Sequence, residues 1–179
     1  MTVVKTFSGL EFKVRRATAG DVEQLIEFWR HVSRTNLQAR YVGIADPTEL
    51  QASLSPAQEG RTTTFLALGG EDAIISIAML VSDAEHKTAR VMAFTHDAIT
   101  FHGVSWALLQ YVLGEAREKG ILTVNSVFSA EDVQAIRLER DMGFIESVYP
   151  PNSRYRVLEW TLAQPKQATQ AAPTISEIV

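Results

Sequence analysis

The chain alternates between two hydrophobic rhythms. Residues 11–17 (EFKVRRA) switch between apolar and polar side chains with a period of two, the pattern of a strand with one buried face. Val22, Leu25, Ile26 and Trp29 then recur at helical spacing, with Val32 one turn on, so a helix is expected over 19–33. Thr18, followed three residues later by Asp21, opens it as a capping box with Asp in place of Glu. An irregular helix is expected over 36–42, and Asp46-Pro47 opens a short one that runs to Leu54. Residues 62–68, 73–81 and 88–95 are rich in β-branched and apolar residues. With turns at Gly69-Gly70-Glu71-Asp72 and over 83–87, they predict an antiparallel meander.

Beyond His102 the helical period returns. Val104, Ala107, Leu108, Tyr111 and Val112 share one face, and Gly120 is placed to end the helix. Residues 121–128 read as a buried strand. Ser129 with Asp132 forms a second capping box, and Val133, Ile136 and Arg140 follow on one helical face until Gly143. Two final strands, 144–149 and 155–162, flank Pro150-Pro151-Asn152. From 163 the sequence AQPKQATQAAPTISEIV has no periodicity and reads as a disordered tail, which leaves 1–162 as the folded domain.

Composition narrows the function classes. A chain of 179 residues fits one domain, and at this size roughly two thirds of the unfolded surface can be buried without a disulfide or metal staple. Lys plus Arg number 17 against 21 Asp plus Glu, and the net charge of -4 argues against nucleic acid as the partner. The absence of cysteine removes disulfides, thiolate nucleophiles and cysteine zinc sites. No apolar run approaches the roughly 20 residues of a membrane helix, and MTVVKTFSGLEFKV lacks the apolar core of a signal peptide. A cytoplasmic domain with neither nucleic-acid nor membrane partner is expected. Glu23, Glu27 and His31 recur at four-residue spacing on the first helix; they read as a solvated flank rather than a metal face, and no metal site is expected.

The element order over 11–162, β-α-α-βββ-α-β-α-ββ, resembles the GNAT superfamily of N-acetyltransferases. Residues 97–120, DAITFHGVSWALLQYVLGEAREKG, are similar to that family's Q/R-x-x-G-x-G/A loop and the helix after it, with Thr100 to Ser105 as the loop. Residues 131–144, EDVQAIRLERDMGF, resemble its N-x-x-A-x-x-L-Y-x-x-x-G-F segment, with Ala135, Leu138, Gly143 and Phe144 in register. VRRATAGD at 14–21 is similar to its R-x-A-x-x-x-D opening, and SRTNLQARYV at 33–42 looks like a stretch of its protein-lysine acetyltransferase branch. The resemblance implies an α/β GNAT fold, a mixed, mostly antiparallel sheet of six to seven strands flanked by about four helices. It implies acetyl-CoA as co-substrate and an amine acceptor, either a small molecule or a protein lysine, and it admits a homodimer.

By the same resemblance, backbone groups of Ala93 and Thr95 pair with pantetheine, and Thr100, His102, Gly103, Val104 and Ser105 form the pyrophosphate turn. Such a turn works because the first N–H groups and the dipole of a helix favour an anion. Each residue also has a plainer reading: Gly103 and Ser105 as a tight turn, Thr100 as an N-cap, His102 as a solvent-facing loop residue. Asp132 stands at the family's Asn position near CoA. His96 and Asp97, at the strand exit, are candidate bases for an amine, with a surface turn as the alternative. Glu139 occupies the place of the tyrosine that protonates the leaving thiolate and is a candidate acid or a solvated helix residue. Several positions depart from the family pattern: Thr100 replaces Gln/Arg, Phe101 a small residue, Asp132 Asn, Glu139 Tyr, and Val91 the glutamate of the lysine-acetylating branch. An N-acetyltransferase relying on positioning and backbone electrostatics is one reading. A catalytically silent GNAT-fold sensor or protein-interaction module is the other.

Overall fold

The alternating segments assemble into one sheet. The computed structural model describes residues 1–32, 61–99, 103–147 and 154–161. The helices expected over 36–42 and 46–54, the residues Thr100 and His102, the turn at 150–152 and the tail from 163 lie outside the described residues. The eight strands are β1 (Thr2–Lys5), β2 (Glu11–Arg16), β3 (Thr62–Leu68), β4 (Ile74–Ser82), β5 (Thr88–Thr95), β6 (Thr123–Ser129), β7 (Ile145–Ser147) and β8 (Tyr155–Thr161), in the sheet order β1-β2-β3-β4-β5-β6-β8-β7. All neighbours are antiparallel except β5 and β6, so the sheet is mixed and mostly antiparallel. It has one strand more than the six to seven expected. Thr2–Lys5 escapes a sequence reading because it is an edge strand with no buried residue, so no face of it alternates.

The central strands are apolar on both sides because the sheet is covered on both. Along β3, Leu66 and Leu68 meet α1 (Val22–Arg30), whose Leu25 and Phe28 join Ile77, Met79, Met92 and Phe94 in one core. Phe65 and Ala67 face the other way. There they pack with Val14, Leu80 and Val91 against α2 (Val104–Glu118) and α3 (Val133–Asp141). Fully buried side chains such as Phe65, Leu66, Ile77 and Leu108 each contribute about 1.5–3 kcal/mol. Among the described residues no helix is long and apolar enough to cross a membrane.

The helix ends follow the expected chemistry with one shift. The N-cap of α3 is Asp132, which accepts from the Ala135 N–H at 3.1 Å, while Ser129 stands outside the helix. Its far end closes at Gly143, in the left-handed region at φ +99°, as the Phe144 N–H reaches back to the Glu139 carbonyl at 3.0 Å.

At the other end of the chain, the R-x-A-x-x-x-D motif is a clamp. Arg15 donates to both Asp21 oxygens at 2.8 and 2.6 Å, and Thr18 donates to the same carboxylate through its N–H at 2.7 Å and its hydroxyl at 2.9 Å. The clamp fixes the angle at which β2 turns into the Ala19–Asp21 turn and α1. Arg15 first, then the Thr18 bonds, hold the buried Asp21 carboxyl at about 2 against an ordinary 3.8, over the opposing effect of burial.

The β1–β2 turn lies against the start of α2. Gly103 adopts φ +77°, and a Cβ built there would fall 2.4 Å from the Phe7 ring. Phe7 is 82% exposed, yet one edge of its ring rests on this backbone.

Two outcomes follow from these contacts. Asp21→Asn should cost about 2 kcal/mol in urea unfolding at pH 7, the worth of a carboxylate depressed from 3.8 to about 2. Because the folded value is the lower one, that stability is present above about pH 4 and lost as pH falls. The gap between wild type and variant is mostly gone at pH 2; a gap of equal size at both pH values would show that the clamp's charge contributes nothing. Gly103→Ala should cost about 1–2 kcal/mol in thermal unfolding for its left-handed backbone. Adding Phe7→Ala should recover only the steric part, and complete recovery would mean that the backbone carries no strain.

Candidate functional site

The site begins where the one parallel strand pair comes apart. β5 and β6 are in register only at Thr88, Ala89 and Arg90 against Thr123, Val124 and Asn125. Beyond that, β5 continues to Thr95 paired with β4, and β6 continues to Ser129 paired with β8. A wedge therefore opens between Val91–Thr95 and Ser126–Ser129. The His96 N–H bonds the Ile75 carbonyl on β4 at 2.9 Å, so by strand alternation the backbone groups of Thr95 and Ala93 point the opposite way, toward the wedge. These are the two positions that the resemblance gives to pantetheine.

A chain of hydroxyls runs beside the end of β5. Thr95 Oγ1 lies 2.9 Å from Ser76 Oγ and 2.6 Å from Ser105 Oγ, and Ser76 donates to the Phe94 carbonyl at 2.8 Å. Ser76 and Thr95 are buried, so this chain of bonds ties β4 and the end of β5 to the first turn of α2. It brings Thr95, Gly103, Val104 and Ser105 together. Val104 itself is a core residue, so only its backbone can serve a ligand. The first turn of any helix offers N–H groups without intrahelical partners, and here they stand beside the strand end. Glycine at 103 is required by φ and by Phe7 in any case, so it marks a tight turn whether or not an anion binds.

The remaining candidates have other occupations. Asp132 caps α3, as described above. Glu139 is buried and accepts a hydrogen bond from Ser126 Oγ of β6, beneath α3. Val91, at the place of the branch glutamate, belongs to the core with α2 and α3. Asp97 sits exposed in the short turn Asp97–Ile99, and its N–H bonds the His31 carbonyl at 3.3 Å. His96 accepts from the Ala98 N–H at Nδ1, 3.2 Å away, and its ring stacks on that of His31 at 4.9 Å between centroids. Among the described residues no group of three or more His, Asp or Glu is placed to hold a metal ion.

Ser76 and Ser126 did not stand out in the sequence. The signal each carried was a serine in mid-strand, in IISIAMLVS and TVNSVFS, where a polar side chain must find a partner once buried.

No protein-family model matches the sequence. Among solved structures, the GNAT domain of S. lividans PAT is similar at TM-score 0.79 and 22% identity, over 90% of this chain and 96% of that one. The PaiA N-acetyltransferase from Thermoplasma acidophilum, in complex with coenzyme A, is similar at TM-score 0.69 and 16% identity, over 84% and 99%. The acetyltransferase of GNAT family from Streptococcus pneumoniae gives 0.66 and 15%, over 84% and 99%. At these identities the likeness is one of fold. This chain is an α/β domain with the GNAT fold.

Proposed function

We propose that the protein is an acyl-CoA-dependent N-acetyltransferase that moves an acetyl group from acetyl-CoA to an amine. The observation that carries this reading is the wedge between β5 and β6 with the start of α2 at its mouth. A slot edged by outward-facing strand backbone suits the amides of pantetheine, and a helix start beside it suits a pyrophosphate. PaiA, of the same fold, is a coenzyme A complex. Ala93 and Thr95 would hold the pantetheine arm; Gly103, Val104 and Ser105 would hold the pyrophosphate, joined by Thr100 and His102.

In this reading the thioester carbonyl rests near Thr95, where backbone N–H groups offset the charge that grows on its oxygen. The bound pose supplies the rest by holding amine and carbonyl in reach of each other. The buried Glu139–Ser126 pair and the core valine at position 91 leave the usual acid and base places filled by other groups. That observation favours a second reading, a GNAT-fold sensor that binds acyl-CoA without turning it over. His96 and Asp97, at the strand exit, are the proton-transfer candidates that the sequence offers for the first reading.

Calorimetric titration with acetyl-CoA, followed by an assay against alkylamines, polyamines and lysine peptides, separates the two. Binding with acetyl transfer is expected; binding without any transfer assigns the sensor, and no binding at millimolar ligand ends both. Ser105→Asp isolates the pyrophosphate contact. A carboxylate in the first turn suits the helix dipole and offsets part of the stability lost with the Thr95–Ser105 bond, while acetyl-CoA affinity should fall about tenfold from charge repulsion. Unchanged affinity would place the phosphates elsewhere.

A further inference from the structure

An alkylamine presents a chemical problem that the wedge does not solve. It is protonated at neutral pH, with a pKa of about 10.4 for a lysine side chain, and only the neutral amine attacks a thioester. This inference rests on the reading above: with its pyrophosphate at the start of α2, CoA lies toward the face of the sheet that carries that helix. The amine then comes from the opposite face, the one covered by α1. At the end of β5 that face presents His31, the residue that ends α1, stacked on His96 with 21° between the rings.

The hydrogen bonds around the stack assign the protons. Glu27 Oε1 lies 3.2 Å from His31 Nε2, and Arg30 donates to Glu27 Oε2 at 2.7 Å. The bond from His31, and then that from Arg30, lower the Glu27 pKa, so Glu27 is an ionised acceptor and His31 Nε2 carries a proton. In the neutral ring the lone pair then sits on Nδ1. His96 is the reverse: its Nδ1 accepts from the Ala98 N–H, which puts its proton on Nε2. Of the two stacked rings, only His31 has its lone pair on a nitrogen that is not held by a bond from its own turn or helix. Its side chain is 51% exposed and reachable from solvent. Among the described residues, the charged and titratable groups around it are Glu27, Arg30, His96 and Asp97, the last held through its backbone N–H to the His31 carbonyl.

We propose that His31 is the general base for a primary alkylammonium acceptor, with Glu27 and His96 as positioning residues that fix its tautomer and its plane. The ammonium gives one proton to His31 Nδ1 and becomes a neutral amine. Its nitrogen lone pair forms the C–N bond to the thioester carbonyl carbon. The tetrahedral intermediate collapses, the C–S bond breaks, and the CoA thiolate leaves with the electron pair. The nitrogen's second surplus proton ends on that thiolate, and His31 returns the first to solvent. The spacing of Glu27 and His31 on α1, which in the sequence looks like a solvated flank, is on this account a carboxylate–imidazole pair.

The test uses the full chain with saturating acetyl-CoA, and propylamine and a lysine peptide as acceptors. His31→Gln should lower kcat about 100-fold at pH 7 with acetyl-CoA affinity unchanged. The deficit should shrink toward pH 10 as the acceptor loses its proton unaided. Glu27→Gln should lower kcat with acetyl-CoA affinity unchanged, and Glu27→Asp should restore part of it. Wild-type turnover in His31→Gln, or a deficit that does not change with pH, overturns the proposal and leaves the transferase reading standing. A wild-type chain that binds acetyl-CoA but acetylates no amine overturns both. Nitrogen-15 NMR of the histidine rings reads the tautomers without any acceptor: a neutral His31 with its proton on Nδ1 contradicts the assignment.

Discussion

β5 and β6 stay in parallel register from Thr88 to Arg90 only, and the other elements are arranged around the gap that follows. A parallel pair needs a crossover, here α2, which begins beside the end of β5 and returns to the start of β6. The helix start therefore stands at the wide end of the wedge as a consequence of topology. Parting the strands removes ladder hydrogen bonds on both, and each gives up about 0.5–1.5 kcal/mol. What tolerates that loss is the pairing of each strand on its other edge, β5 to β4 and β6 to β8, and the core on both faces of the sheet.

Two polar devices hold this geometry. The Ser76–Thr95–Ser105 hydroxyls lock the strand end to the helix start from within the core. The Arg15–Asp21 clamp sets the direction of α1, and with it the place where His31 meets the turn after β5. The first fixes the face that would receive a nucleotide, the second the face that would receive an amine. Both use bonds satisfied inside the protein, so neither depends on a ligand being present.

Most elements were legible because their periods are strong. The meander, α1, α2 and α3 fall within a few residues of the patterns that signalled them, and the Thr18–Asp21 box is present with Arg15 as an addition. β1 was not legible, since an exposed edge strand leaves no apolar rhythm. At the site, the turn at Gly103 and Ser105 was visible from its small residues, but its second reason, the Phe7 ring, comes from a distant hairpin. Glu27 and His31 were visible as a spacing, yet the ring that gives that spacing a new meaning, His96, is brought to it by the fold alone. Buried serines such as Ser76 and Ser126 are silent in a sequence for the same reason: their partners lie on other strands and helices.

The central claim is that the wedge and the start of α2 form one ligand site. Backbone amide NMR during a titration with CoA tests it most directly. The account predicts that the largest shift changes fall together on Ala93, Thr95, Val104 and Ser105, with β1 and β7 still. Saturable changes centred away from β5 and α2, or none at millimolar CoA, would contradict it.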